Sequence, residues 1–122
     1  MAVAYDPQNV FARVLRGDIP AHKVYEDDVA LAIMDIMPRA EGHVLVIPKT
    51  QHVSLADFTA TATPEQITGF FRAVGAVAKS LELEAPGYRI LANMGAHGHQ
   101  EVPHFHVHLF GGRPLGRMIE QS

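Results

Sequence analysis

Apolar residues recur along this chain with two periods, and the switches between them mark its elements. Val10, Phe11, Val14 and Leu15 are spaced as one face of a helix. Asp6-Pro7 ahead of them offers an N-cap and a first helical residue, and Gly17 stops the run. A short helix is therefore predicted over residues 7–16. A longer stripe, Ile67, Phe70, Phe71, Val74, Val77, Ala78 and Leu81, has the same spacing. Thr63-Pro64-Glu65-Gln66 in front of it carries a capping-box pattern with proline at the first helical position, which predicts a helix over 64–83. Residues 54–58 read as one helical turn.

Elsewhere the apolar runs are short or alternate. Ile19-Pro20 leads into a strand at 23–26, Asp27-Asp28 turns the chain, and 29–35 is the next strand, so the pair reads as a hairpin. Residues 43–48, dense in Val, Leu and Ile, read as a strand central to a sheet. Pro86-Gly87 turns the chain into a strand at 88–93. A loop at 95–103 precedes a last strand at 104–110, which Gly111-Gly112 ends. The tail from 113 carries no clear pattern. This order predicts an α+β fold, a mainly antiparallel sheet with one long and one short helix. A single sheet with one helical layer leaves a face or an edge open, and association of two copies is one way to cover it.

The bulk numbers add bounds. The 122 residues are expected to form one domain with a real core, and 48% hydrophobic with 19% charged residues is globular composition. A net charge of −3 without a basic block argues against a nucleic-acid polymer as partner. The chain has no cysteine, which excludes disulfides and thiolate zinc sites. No signal peptide and no membrane span are expected from the N-terminal residues or any apolar window, so the expected location is the cytoplasm.

Chemistry enters with the histidines, at 22, 43, 52, 97, 99, 104, 106 and 108. His104, His106 and His108 alternate with Phe105, Val107, Leu109 and end on Phe110. On a strand this places three imidazoles on one face, each about 6.5–7 Å from the next, and three apolar side chains on the other. Such an internal, alternating run is not a purification tag, and buried rings need partners. His22 and His52 read as surface histidines. Two chemistries remain open. Two histidines at i and i+2 can bind one zinc ion, with His43, His99 or Glu101 as further ligands. One ion with bonds of about 2 Å reaches two of the rings more easily than all three. Alternatively, an imidazole nitrogen attacks phosphorus while its neighbours hold the phosphoryl oxygens and move a proton. Gly95 and Gly98 just upstream let backbone N–H groups approach a phosphate.

The run His104 to Phe110 resembles the signature of the histidine-triad (HIT) hydrolases, His-φ-His-φ-His-φ-φ with φ apolar. Several ordered blocks share the resemblance: residues 11–28, Asp35-Ile36 with Pro38, residues 43–49, Asn93-Met94-Gly95, and Gln100-Glu101-Val102-Pro103-His104. Within that family the chain resembles the Hint branch, the nucleoside phosphoramidases, and His108 stands where the transferase branch has glutamine. The resemblance implies a HIT fold, a homodimer, a purine nucleotide substrate and no cofactor or metal. It implies that His106 attacks the α-phosphorus, that His108 donates to the phosphoryl oxygens, that His104 orders the nucleophile, and that His43 is a fourth histidine of the site. It implies that Asp35 accepts from the ribose hydroxyls and that Asn93 lines the phosphate or leaving-group side. Phe11, Ile19, Ile33 and Ile36 would border the base, and His99, Glu101 and Val102 would also line the nucleotide site. Glu101 stands where the family pattern has a serine and His99 where it has glycine, so charge and bulk at the leaving group differ here. The reading is metal-independent hydrolysis of a nucleoside 5′-phosphoramidate through a nucleotidyl-histidine. Hydrolysis of diadenosine polyphosphates, a nucleotide-binding module with vestigial activity, and a zinc site are the alternatives.

Overall fold

The computed structural model describes residues 4–35 and 43–118. In chain order the elements are α1 (Val10–Leu15), β1 (Lys23–Glu26), β2 (Ala30–Met34), β3 (Val44–Pro48), α2 (Leu55–Thr61), α3 (Pro64–Ser80), β4 (Arg89–Leu91) and β5 (Val107–Phe110). The strands form one sheet in the order β1-β2-β3-β5-β4, with every neighbouring pair antiparallel. The α+β class, the hairpin and the central position of β3 are as the apolar pattern predicts. Among the described residues, no helix is long and apolar enough to cross a membrane.

Two element starts show how local hydrogen bonding sets boundaries. Thr63 caps α3 through the expected reciprocal pair: Gln66 N–H donates to Thr63 Oγ1 at 3.1 Å, and Thr63 N–H donates to Gln66 Oε1 at 2.9 Å. The first helix starts later than predicted. Asn9 is its cap, its Oδ1 accepting from Ala12 N–H at 2.9 Å. Asp6 instead anchors a turn, its carboxylate accepting from Gln8 N–H and its carbonyl from Asn9 N–H. At the other end of α3 the backbone leaves the helix at Leu81, and Glu82 turns left-handed with φ 59°, so the helix is shorter than 64–83.

The histidine strand is also shorter than predicted. It joins β3 through Val44↔Leu109, Leu45↔His108 and Val46↔Val107. Continuing that register sets Phe105 opposite Pro48, a residue with no N–H to give a ladder. Residues 104–106 lie outside the ladder, with the chain bent at His104. They are tied down by other bonds, Phe105 N–H to the His52 carbonyl at 2.7 Å among them.

Strand alternation sorts side chains onto two faces. Ala30, Ala32, Val44, Val46, Val107 and Leu109, with Phe105, pack against Phe70, Ala73, Val74 and Val77 of α3 and Phe58 of α2. Leu31, Ile33, Leu45 and Ile47 point the other way and pack against Phe11 and Val14 of α1. His52 is buried, contrary to the surface reading. Thr50 Oγ1 at 2.6 Å and Thr61 Oγ1 at 2.7 Å satisfy its two ring nitrogens, and it packs edge-on against Phe58.

Candidate active site

The face that α1 only partly covers holds a cleft of about 1120 Å³. Its walls include Phe11, Ile19, Ile33, Asp35, His43, Asn93, His99, Glu101, Val102, His106 and His108. These come from α1, the loop before β1, β2, the start of β3, and the segments flanking β4 and β5. Ile36 lies outside the described residues. His104 lies behind the cleft with no exposed surface.

His104 and His106 are linked through the backbone. The His106 Nδ1–H donates to the His104 carbonyl at 2.7 Å. A carbonyl only accepts, so the proton sits on Nδ1 and the neutral ring carries its lone pair on Nε2. Phe11 packs edge-on against the same ring, with centroids 4.9 Å apart. The His104 ring is satisfied at both nitrogens. Its Nε2–H donates to the Pro48 carbonyl at 2.9 Å, and its Nδ1 accepts from the Tyr5 hydroxyl at 2.8 Å. The rings of His106 and His108 lean together, their centroids 4.9 Å apart. That is closer than the strand repeat along which they were expected to stand.

His108 belongs to a second group. Its Nδ1 lies 3.0 Å from His43 Nε2, and His43 Nδ1 lies 3.4 Å from an Asp35 carboxylate oxygen. The carboxylate accepts only, which favours a proton on His43 Nδ1 and leaves Nε2 to accept from His108. Phe110 closes this group from one side, stacked on His43 at 4.2 Å. Asp35, His43 and His108 each offer a ligand atom within 4.8 Å of the others, so the geometry could hold a metal ion.

Electrostatics follow burial. Burial pushes the pKa of His104 down to about 4, against the opposing hydrogen bond to Pro48. It pushes His108 down to about 4 as well, with the neighbouring His106 and His43 adding to the effect. The His106 pKa is also lowered by burial, while its bond to the His104 carbonyl and the Asp35 and Glu101 charges oppose that. At neutral pH the triad is therefore neutral, and it meets a ligand with lone pairs rather than as a row of cations. These values lie below the working range that free imidazole would give.

The loop at 95–103 forms the cleft's outer lip. Gly95 adopts φ +61°, a left-handed conformation that favours glycine, and a side chain on Gly98 would sit 2.4 Å from the Met94 carbonyl oxygen, so Gly98 needs glycine. Gln100 staples the loop, accepting from Gly95 N–H and donating to the Val53 and Val102 carbonyls. His99, at φ 56°, and Glu101 face each other at 3.2 Å on the exposed rim. Solvent screens that pair.

The sequence pattern missed some wall residues. Phe110 shares the parity of the three histidines, and that signal could have placed it. Leu45 shares the parity of His43 in the same way. His22, exposed as expected, also borders the cleft. Nothing in the local sequence pairs Tyr5 with His104, since 99 positions separate them.

Comparison with known proteins agrees with this geometry. The HIT domain family model matches residues 16–115. An uncharacterised HIT-like protein of Azospirillum brasilense is 57% identical over 122 residues, the whole of both chains. The purine nucleoside phosphoramidase of Escherichia coli K12 is 40% identical over 113 residues, 92% of this chain and 93% of that protein. The crystal structure of a histidine triad protein from Clostridium difficile superposes with a TM-score of 0.85 at 33% identity, covering 95% of this chain and all of that one.

Proposed function

This chain belongs to the HIT domain family and is a hydrolase of that family, and from that premise we propose that it hydrolyses purine nucleoside 5′-phosphoramidates through a nucleotidyl-histidine at His106. The observation that carries the reading is the His106 tautomer. With Nδ1–H held by the His104 carbonyl at 2.7 Å, Nε2 is the lone-pair nitrogen of a ring that lines the cleft. In the first step Nε2 attacks the α-phosphorus, the phosphorus–nitrogen bond breaks, and the departing amine takes a proton from solvent, which the water of the second step returns. In the second, water attacks the same phosphorus, releases the nucleoside monophosphate and restores the ring.

The remaining roles follow from position. His108 sits beside His106 and lines the cleft, so a phosphate bound there brings negative charge that favours its protonated, donating form. His43 and Asp35 hold His108 from behind. Asp35 is also at the cleft wall, where its carboxylate can accept from ribose hydroxyls. Phe11, Ile19 and Ile33 give that wall an apolar stretch suited to a purine. Asn93, His99, Glu101 and Val102 border the leaving-group side, and the Glu101 carboxylate disfavours anionic leaving groups there. We assign the active form as a homodimer, since β4 lies at an edge of the sheet and its apolar Ile90 is 49% exposed.

The test is steady-state hydrolysis of adenosine 5′-phosphoramidate by wild type beside His106→Ala, with and without a chelator. Turnover that persists in the variant rejects the nucleophile. Turnover lost on chelation assigns the Asp35–His43–His108 group to a metal. No turnover by folded wild type redirects the reading to dinucleoside polyphosphates.

A further inference from the structure

Residues 104–106 carry the chemistry, yet they lie outside the sheet ladder. The carbonyl that fixes the His106 tautomer belongs to His104. Ladder bonds do not hold that carbonyl, so its position depends on how the His104 residue is anchored. Backbone bonds give part of the answer: His104 N–H donates to the Val102 carbonyl at 2.8 Å, and Phe105 N–H to the His52 carbonyl. The ring gives the rest, with one anchor on each nitrogen.

The first ring anchor, the Pro48 carbonyl, lies within the fold. The second is a hydroxyl from the far end of the chain. Tyr5 donates to His104 Nδ1 at 2.8 Å and packs edge-on against the ring, with centroids 5.6 Å apart. His104 is fully buried, so no bulk water replaces a lost partner there. Tyr5 leads through the turn at Asp6 to the Asn9 cap and α1, whose Phe11 packs on both His104 and His106. Residue 5 also precedes the 16–115 span that the family model matches.

We propose that Tyr5 is a positioning residue for the reaction at His106: its hydroxyl holds the His104 ring, and with it the carbonyl that fixes the His106 tautomer. Tyr5 does not line the cleft, so it acts without touching substrate. The proposal rests on His106 as the nucleophile, and its test separates the two.

The variant is Tyr5→Phe, which keeps the ring and removes the hydroxyl. Its kcat for adenosine 5′-phosphoramidate is expected to fall about tenfold, with KM within about twofold, at a temperature where it is fully folded. The ¹⁵N spectrum of its histidines is the second readout. The His104 Nδ1 signal should move downfield, as for a nitrogen that has lost a donor, and the Nδ1-protonated fraction of His106 should drop. Wild-type kcat in the folded variant, or an unchanged His106 signal, overturns the proposal and leaves Tyr5 a purely structural contact. If wild type shows no turnover, the phosphoramidase reading fails and the His106 signal alone decides the proposal. Should the variant not fold, 3-fluorotyrosine at position 5 supplies a stronger donor. A shift of the His106 signal then upholds the link, and no shift overturns it.

Discussion

The two faces of the sheet use the same strands and differ in what covers them. On one face, α2 and α3 lay Phe58, Phe70 and Val77 over the sheet, and these are fully buried together with Phe105. On the other, the six-residue α1 covers a smaller apolar cluster, and the rest of the face is the cleft. The segment ending in strand β5 contributes to both: Val107 and Leu109 enter the core, while His106, just ahead of the strand, and His108 line the cleft. The long helix therefore provides the stability that lets the opposite face keep polar rings part-buried and an open concavity. Stability and chemistry are divided by side-chain parity rather than by region of the chain.

That division can be broken from either side. The largest effect is expected from His106→Ala, a loss in kcat of at least about 10³-fold while the melting temperature moves by only a few degrees and nucleotide binding stays measurable by calorimetry. The complementary change on the dry face is Phe70→Ala. It should destabilise the fold by about 3–5 kcal/mol in urea titration through the cavity it leaves. Turnover per folded molecule should stay near wild type. A change that fell equally on both properties would show that the faces are mechanically coupled.

Acid sharpens the same contrast, since the buried imidazoles of the triad are on the cleft side. The His104 pKa is held at about 4 in the folded chain, below the ordinary 6.5, so the unfolded chain binds more protons between those values. The stability this contributes is complete above about pH 6.5 and is lost as pH falls toward 4, on the order of 3 kcal/mol for His104. His108 adds to the loss in the same window, discounted because its ring is partly open to solvent. Unfolding titrations at pH 7 and pH 4.5 check the sign, and a protein more stable at pH 4.5 contradicts it. The smallest effect is on the cleft rim of β2. Asp35→Ala should weaken adenosine monophosphate binding about tenfold and the 2′-deoxy analogue less, in competition assays. Equal losses would reject a ribose contact and leave Asp35 only its place behind His43.

Much of the cleft is legible in the chain because period-two alternation is a local rule. Once residues 104–110 are taken as extended, the three histidines and Phe110 share a parity, and Leu45 shares that of His43. The boundaries were less legible, for identifiable reasons. Asp6-Pro7 and Asn9 are both competent helix starts, and hydrogen bonds from Asn9 back to the Asp6 carbonyl decided between them. The ladder ends before His106 because the partner strand finishes in Pro48, a fact about β3 rather than about the histidine run. His52 became a core residue because two threonines, 50 and 61, meet its ring from different elements.

The sequence by itself determined the periods, the capping box, the parity of the histidine strand and the family signature, all of which depend on neighbours within a few positions. Tertiary structure decided which nitrogen of each ring carries a proton and which rings meet water. Those depend on a carbonyl at Pro48, a carboxylate at Asp35 and a hydroxyl at Tyr5, brought to the histidines from distant positions. A lone pair on His106 Nε2 is thus a property of the folded chain: an imidazole tautomer is set by whatever faces its other nitrogen, and only folding puts the His104 carbonyl there.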